Sequence, residues 1–351
     1  MKAQSLPILT EYDALLLDLD GCVMHGSRPI DGAASGVAKA REAGRHIAFV
    51  TNNASRTPDQ VIAHLETVGV IGTPDEVTSS PQVAVHILRE QHGDGARVLV
   101  IGGDSLASEL SAAGLVPVRS ADEQPVAVVQ GWSADVDWAQ LAEGAYAIGA
   151  GASYVATNTD LTLPTERGMA PGNGSLVAAL RAATGKDPIV AGKPQPEIFR
   201  VAASRCGARS PLIVGDRLDT DIEGGQRADM DSALTLTGVS TILDALYALP
   251  IQRPTHLIQT LDELHTAIPR PVVTENRAVC GAASALLVDE HTIELSGADF
   301  YPAQGSASEP VPGMSTARAT LALIASQFPH RAFVGRLVDA QGREVTAFHG
   351  N

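Results

Sequence analysis

Two aspartates lie close together near the start of the chain, at the end of an apolar run. Residues 14–17 precede Asp18, Asp20 follows two residues later, and Gly21 stands where the chain must turn. Side chains two residues apart on a strand point to the same side. Two carboxylates this close repel each other unless a cation or hydrogen bonds stabilise both charges. The pair therefore indicates a nucleophile or a metal site, although a turn with solvated aspartates gives the same pattern.

A second group of aspartates follows another apolar run much later in the chain. Asp216 stands at the end of the run, and Asp219 and Asp221 lie in the turn after it. Mg²⁺ prefers octahedral oxygen sites in which one or two carboxylates are joined by water and substrate phosphate. Asp216 is therefore the expected additional ligand. The alternative is a helix start at which aspartates stabilise the helix dipole.

Groups that can hold a phosphate follow two further apolar runs. Thr51, Asn52 and Asn53 precede a typical helix start, in which Thr57 is the cap and Pro58 the first helical residue. A hydroxyl and backbone amides there can bind phosphate oxygens, although the same three residue types also occur in ordinary turns.

Lys193 lies between a glycine and a proline and is therefore not expected to continue a helix. A lysine held in this way can act as a point charge toward a phosphate, whereas most single lysines face solvent.

The elements that must position these residues are short apolar strands separated by Ala-rich helices, such as the one expected from Ala33 to Gly44. That alternation predicts an α/β fold with parallel sheets buried on both faces. Ligands bind at the carboxyl ends of such strands, so we expect the polar groups to form one site. The apolar runs are 14–20, 46–52, 97–102, 126–130, 154–158 and 211–216.

The order of these segments predicts three parts. Residues 1–80 and 187–267 are expected to form a Rossmann-like core with a parallel sheet, and 81–186 an inserted α/β cap domain. Residues 268–351 are expected to form an α+β C-terminal module, with strands, a helix and a hairpin around Asp339 to Gly342. A degenerate acetyltransferase-like region is an open interpretation of this module, although the glycine loop that would bind coenzyme A is missing.

Composition narrows the function classes. The formal charge of −15 over 351 residues argues against a nucleic-acid surface. No segment approaches the roughly 20 apolar residues of a membrane helix, and the three dispersed cysteines predict free thiols. We therefore expect a cytoplasmic protein that binds neither membrane nor nucleic acid; a homo-oligomer is left open. Glycine-rich strings at 149–153 and 171–175 are not expected to bind a dinucleotide, because neither follows a strand and opens a helix with a suitable acidic residue about 20 positions later.

Taken in order, the four motifs resemble those of the haloacid dehalogenase superfamily of phosphatases. They are D-L-D-G at 18–21, T-N-N at 51–53, G-K-P at 192–194 and G-D-R-L-D-T-D at 215–221. The long insertion, with T-N-T-D at 157–160, is similar to the large α/β cap of the NagD and para-nitrophenylphosphatase branch. The resemblance covers about residues 10–265.

The resemblance implies a role for each matching residue. Asp18 would be the nucleophile and Asp20 the general acid and then base. Mg²⁺ would be held by Asp18, the Asp20 carbonyl and Asp216, with Asp221 in support and Asp219 a weaker candidate. Thr51, Asn52 and Asn53 would bind the phosphoryl group, and Lys193 would balance its charge.

The same resemblance implies a small phosphorylated metabolite as substrate. Glycerol 3-phosphate is the first expectation, because a C-terminal module of this kind resembles that of actinobacterial glycerol 3-phosphate phosphatases. Phosphoglycolate and pyridoxal phosphate are the alternatives, and a non-catalytic binding protein on the same fold is the alternative of another class. Trp132 and Trp138 in the cap either narrow the pocket or pack the cap.

Overall fold

A computed structural model describes residues 6–54, 56–165, 167–297, 300–302 and 310–345. All six apolar runs form strands within their predicted ranges or one residue outside them. In chain order the strands are β1 (Ala14–Leu17), β2 (Met24–His25), β3 (Arg28–Pro29), β4 (His46–Thr51), β5 (Val77–Ser79), β6 (Arg97–Ile101), β7 (Val116–Val118), β8 (Ala127–Gln130), β9 (Ser153–Ala156), β10 (Thr162–Thr165), β11 (Gly168–Pro171), β12 (Ile189–Val190), β13 (Pro211–Gly215), β14 (Asp231–Thr235), β15 (His256–Ile258), β16 (Val272–Thr274), β17 (Arg277–Cys280), β18 (Ala283–Asp289), β19 (Thr292–Ser296), β20 (Phe300–Pro302), β21 (Pro310–Pro312) and β22 (Arg336–Asp339).

Helices fill the intervals between these strands, and the local signals for them are confirmed. The first helix is followed by Gly44, which has a φ of +71°, and the second begins at Pro58 after Thr57, whose hydroxyl accepts from the Gln60 N–H at 3.4 Å. The helices are α1 (Ala33–Glu42), α2 (Pro58–Thr67), α3 (Ser80–His92), α4 (Asp104–Ala112), α5 (Trp138–Gly149), α6 (Asn173–Thr184), α7 (Glu197–Cys206), α8 (Glu223–Arg227), α9 (Ile242–Leu246) and α10 (Met314–Gln327).

The chain divides into two compact units. The first contains residues 1–47, 68–70 and 206–351, and the second contains residues 48–67 and 71–205. Because this division does not test the boundaries of core, cap and C-terminal module, those boundaries stay a prediction.

The first unit contains a parallel sheet in the order β15-β14-β13-β1. Leu17 of β1 lies beside Val214 of β13, and the residues of β1 are all buried. Burial on both faces explains why this run is continuously apolar. The carboxyl ends of β1 and β13 therefore lie next to each other.

A second sheet in the first unit, in the order β16-β17-β18-β19-β22, is formed by the C-terminal part of the chain. Its neighbouring strands are antiparallel except for the parallel pair β19 and β22. One hydrophobic cluster joins this region to the parallel sheet, since Leu234 and Leu257 belong to the same cluster as Leu295 and Ile324. The α/β fold class and the α+β C-terminal module are thus confirmed, and the two sheets share a core.

The second unit contains a five-stranded parallel sheet in the order β12-β9-β8-β6-β7 and the parallel pair β4 and β5. The glycine-rich string at 171–175 connects β11 to the start of α6. However, β11 pairs with β10 as an antiparallel hairpin, so the string does not follow a strand of the parallel sheet.

Trp138, at the start of α5, is 77% exposed, so it does not pack the interior of the second unit.

Among the residues that the structure describes, no helix has the length and apolar character needed to cross a bilayer.

Candidate active site

Asp18 is far in the sequence from Asp216 and Asp221, and the three aspartates come together at the carboxyl end of the parallel sheet. One carboxylate oxygen each of Asp18, Asp216 and Asp221 lies within 4.8 Å of the others. The pairing of β1 with β13 brings about the approach, since the Asp18 N–H donates to the Val214 carbonyl at 2.9 Å. Asp216 and Asp221 are each only 1% exposed. We call these three residues the aspartate cluster.

Close packing fixes Asp216 within the cluster. The Val239 N–H donates to its Oδ2 at 2.7 Å, and a Cβ atom added at Gly21 or Gly238 would overlap its carboxylate. Gly21 also has a φ of +89°, a conformation that other residues adopt only at a cost. The glycine after Asp20 is therefore required both by the turn and by the space that Asp216 occupies.

Asp219 and Asp221 have different binding partners because of the geometry of one turn. The segment Leu218–Ile222 forms a π-helical turn. In that turn the Asp221 carboxylate accepts from the Arg217 N–H at 3.2 Å. The Asp219 carboxylate instead binds the Arg217 guanidinium at 2.8 and 3.0 Å, and this interaction raises the pKa of Arg217. Asp219 is therefore held by an arginine, and Asp221 belongs to the cluster.

Asp20 lies in the loop that follows β1 and is exposed. Its Oδ1 accepts a long hydrogen bond of 3.4 Å from the Gly26 N–H. The loop itself is ordered by the β2 and β3 hairpin and by the Gly21 N–H, which donates to the Met24 carbonyl at 2.8 Å. An exposed carboxyl on a defined loop is accessible to solvent, as proton exchange requires.

In the second unit, the end of β4 holds the three polar residues of the second motif. Thr51 is only 4% exposed, and its Oγ1 accepts from the Asn53 N–H at 3.1 Å. The Asn52 carbonyl accepts from the Ser80 hydroxyl at 2.9 Å and from Asn158 Nδ2 at 3.0 Å. The polar residues at this strand end thus belong to a connected hydrogen-bond network.

Lys193 is buried in the same unit and lies beside Asn52. Its side chain is only 4% exposed, and its Nζ donates to the Val50 carbonyl at 3.4 Å. Its backbone N–H donates to Asn52 Oδ1 at 2.8 Å, and Asn52 Nδ2 donates to the Lys193 carbonyl at 3.2 Å. The structure thus brings the second and third motifs together.

The four motifs do not include Asp160, Asn158 or Ser80, which also contact Asn52. Asp160 accepts from Asn52 Nδ2 at 3.4 and 3.5 Å, and the other two residues donate to the Asn52 carbonyl. The T-N-T-D string at 157–160 is the available sequence signal for Asp160 and Asn158, but by itself it indicates only the cap.

Comparison with known proteins identifies the family of these motifs. Residues 15–116 match the family described as haloacid dehalogenase-like hydrolase, and residues 190–264 match the HAD-hydrolase-like family. Both matches include motif residues: Asp18 and Thr51 lie in the first, Lys193 and Asp216 in the second.

Individual relatives extend the similarity over nearly the whole chain. A D-glycerol 3-phosphate phosphatase of Mycobacterium tuberculosis is 52% identical over 258 residues, which are 74% of this chain and 72% of the relative. The structure of a glycerol phosphate phosphatase from the same organism with magnesium has a TM-score of 0.82, 41% identity and coverage of 96% and 97%. A p-nitrophenyl phosphatase from Archaeoglobus fulgidus has a TM-score of 0.67, 28% identity and coverage of 72% and 98%. The predicted resemblance, including its branch, and the predicted enzyme class, a phosphatase, are confirmed.

Proposed function

The chain belongs to the haloacid dehalogenase-like hydrolases, and we propose that it is a magnesium-dependent phosphatase whose substrate is glycerol 3-phosphate. The observation that carries the proposal is the aspartate cluster, which places two buried carboxylates beside the carboxylate expected to be the nucleophile. The glycerol phosphate phosphatases of M. tuberculosis, which are 41% and 52% identical to this chain, support the choice of substrate.

The aspartate cluster fits a hard divalent cation. Its donors are carboxylate oxygens, which Mg²⁺ prefers, and the two most buried members carry charges whose mutual repulsion a cation would relieve. Asp18, Asp216 and Asp221 would hold the ion, together with the Asp20 carbonyl that the family resemblance implies. When bound, magnesium supplies positive charge against the phosphoryl oxygens and aligns the phosphate with the nucleophile.

In the first step, a carboxylate oxygen of Asp18 attacks the phosphorus of the ester. A bond forms between this oxygen and phosphorus while the bond from phosphorus to the glycerol oxygen breaks. Asp20, in its protonated form, donates its proton to the departing oxygen. The products of this step are glycerol and an aspartyl-phosphate at Asp18.

In the second step, the Asp20 carboxylate takes a proton from a water molecule, and the water oxygen attacks phosphorus. The bond to Asp18 breaks, inorganic phosphate forms and the Asp18 carboxylate is regenerated. Asp20 is again protonated and ready for the next cycle. One side chain thus serves both half-reactions, in agreement with its exposure to solvent.

The negative charge of the transferred phosphoryl group must be stabilised by hydrogen-bond donors whose positions are fixed before the reaction begins. We assign this role to the Lys193 ammonium and to the hydroxyl and backbone amides at Thr51 to Asn53. Uncatalysed hydrolysis of phosphomonoesters is so slow that a catalyst must supply on the order of 20 kcal/mol. Nucleophile, acid, cation and donors must therefore act together.

A phosphate-release assay tests the proposal. The protein is incubated with glycerol 3-phosphate, phosphoglycolate, pyridoxal phosphate and p-nitrophenyl phosphate, each with Mg²⁺ and with a chelator. The proposal predicts the highest kcat/KM for glycerol 3-phosphate and no release in chelator. A higher kcat/KM for another ester would reject the substrate, and release that is unchanged by chelation would reject the metal. No release from any ester would favour a non-catalytic binding protein.

A further inference from the structure

The side-chain amide of Asn52 is used mainly to hold the backbone of Lys193. Its Oδ1 accepts from the Lys193 N–H at 2.8 Å, and its Nδ2 donates to the Lys193 carbonyl at 3.2 Å. Two residues separated by 141 positions are thereby joined by a reciprocal pair of hydrogen bonds. We call this pair the amide clasp.

The clasp leaves Asn52 little capacity to bind a phosphate. A side-chain amide has two N–H donors. One donates to the Lys193 carbonyl, and the Asp160 carboxylate lies 3.4 and 3.5 Å from the same nitrogen. A phosphoryl oxygen would have to compete with a carboxylate that carries its own negative charge.

The backbone carbonyl of Asn52 has partners that are separate from the clasp. It accepts from the Ser80 hydroxyl and from Asn158 Nδ2. On the other side, a Cβ atom at Gly192 would overlap Asn52 Oδ1 and would lie 2.7 Å from the Thr157 carbonyl oxygen. The glycine before Lys193 is therefore needed for the clasp to close.

Lys193 is thus held at both ends by the terminus of β4. Asn52 binds its backbone, and the Val50 carbonyl accepts from its ammonium at 3.4 Å. A lysine side chain is flexible, and a free one would lose considerable entropy each time it met a phosphate. Fixing both ends in advance removes most of that cost.

We propose that Asn52 is a positioning residue that fixes Lys193 through the amide clasp, and that its side-chain amide does not bind the phosphoryl group. This inference rests on the proposed function, in which Lys193 balances the charge of that group. It replaces the phosphate-binding role that the family resemblance implied for Asn52. Thr51 and Asn53 keep that proposed role.

A double-mutant cycle tests the inference through kcat. Asn52→Ala should lower kcat about 10²-fold, because a misplaced catalytic group commonly costs that much. In a Lys193→Met background the same change should alter the residual kcat by no more than about 2-fold, since there is no ammonium left to position. An equal loss of about 10²-fold in both backgrounds would overturn the inference, because it would identify Asn52 as an independent contributor.

Amide hydrogen exchange tests the clasp without any turnover. In Asn52→Ala the Lys193 N–H should exchange at least about 10-fold faster than in the wild type. Ser80→Ala is the matched control, because it removes a bond to the Asn52 backbone and leaves the clasp intact; its Lys193 N–H should exchange at the wild-type rate. Unchanged exchange in Asn52→Ala would overturn the inference. If the wild type releases no phosphate from any ester, the proposed function fails, and the exchange experiment still decides the clasp.

Discussion

The aspartate cluster and the amide clasp show two ways of placing polar groups in a protein interior. The cluster gathers three carboxylates within 4.8 Å, and a cation would reduce the repulsion among them. The clasp pairs donors with acceptors, so its hydrogen bonds are satisfied by the protein itself. The first arrangement is suited to binding an ion and the second to holding a residue still.

Replacement of the nucleophile should have the largest effect. Asp18→Asn should reduce phosphate release at least about 10⁴-fold, because a carboxamide does not attack phosphorus as a carboxylate does. In the absence of metal, the same variant should be at least as stable to heat as the wild type, since one of three neighbouring charges is removed. Phosphate release within 10-fold of the wild type would contradict the assignment.

The two aspartates of the π-helical turn allow a matched test of the metal site. Asp221→Asn should raise the Mg²⁺ concentration for half-maximal activity by about 10- to 100-fold, the usual cost of weakening a metal site. Asp219→Asn should change it by less than about 2-fold, because Asp219 binds Arg217. Titration of activity with Mg²⁺ measures both values. Equal shifts in the Mg²⁺ concentration for half-maximal activity would mean that Mg²⁺ affinity does not depend on whether a carboxylate lies in the aspartate cluster.

A buried arginine should contribute to stability rather than to chemistry. Arg318 of α10 is 8% exposed and donates to the Leu257 carbonyl at 3.0 Å and to Glu263 at 2.6 Å. Arg318→Met should lower the free energy of unfolding by about 3 kcal/mol, since it leaves the partly buried Glu263 carboxylate without its ion-pair partner. Urea unfolding of the metal-free protein measures this change.

Arg343→Met is the control for that experiment. Arg343 also binds a carboxylate, that of Asp339, at 2.6 Å, but its side chain is 64% exposed. The Asp339 carboxylate is only 5% exposed, but it keeps two backbone donors, the Gln341 and Arg343 N–H groups at 2.9 Å. The change should therefore cost less than about 1 kcal/mol. Similar losses in both variants would show that burial of Arg318 is not what makes its contacts important.

A histidine distant from the cluster should make stability depend on pH. Burial, and then the nearby Arg270 guanidinium, lower the pKa of His256 from 6.5 to about 4. Its Nε2 lies 2.8 Å from the Tyr12 hydroxyl oxygen, and its Nδ1 lies 3.4 Å from Arg270, an arrangement that suits the neutral ring.

The lowered pKa determines the direction in which the free energy of unfolding changes with pH. Between pH 6.5 and 4 the unfolded chain binds a proton that the folded chain does not, so the free energy of unfolding should fall as the pH drops through that window. The loss should be at most about 3 kcal/mol. His256→Gln should show a shallower decline when unfolding is followed by urea titration at several pH values. The same slope in the variant and the wild type would exclude His256 as the source.

The apolar runs and the motif spacing predicted six of the strands and the approach of Asp18 to Asp216 and Asp221. Those predictions succeed because carboxyl ends of neighbouring parallel strands converge. The motif resemblance already ranked Asp221 above Asp219, but the physical reason, a π-helical turn and the contact of Asp219 with Arg217, is visible only in the structure. The clasp joins Asn52 to Lys193 across 141 positions, and the contact of Arg318 with Leu257 spans 61. Contacts of that kind follow only from the folded chain.

Trapping of the phosphorylated enzyme tests the central claim most directly. Asp20→Asn lacks the acid of the first step and the base of the second, and we expect this loss to slow dephosphorylation more than phosphorylation. Incubation with glycerol 3-phosphate and Mg²⁺ should therefore leave one phosphoryl group on the protein. Mass spectrometry of the peptides after acid quenching should locate it at Asp18. Turnover of this variant at the wild-type rate, or a phosphoryl group on another residue, would contradict the account.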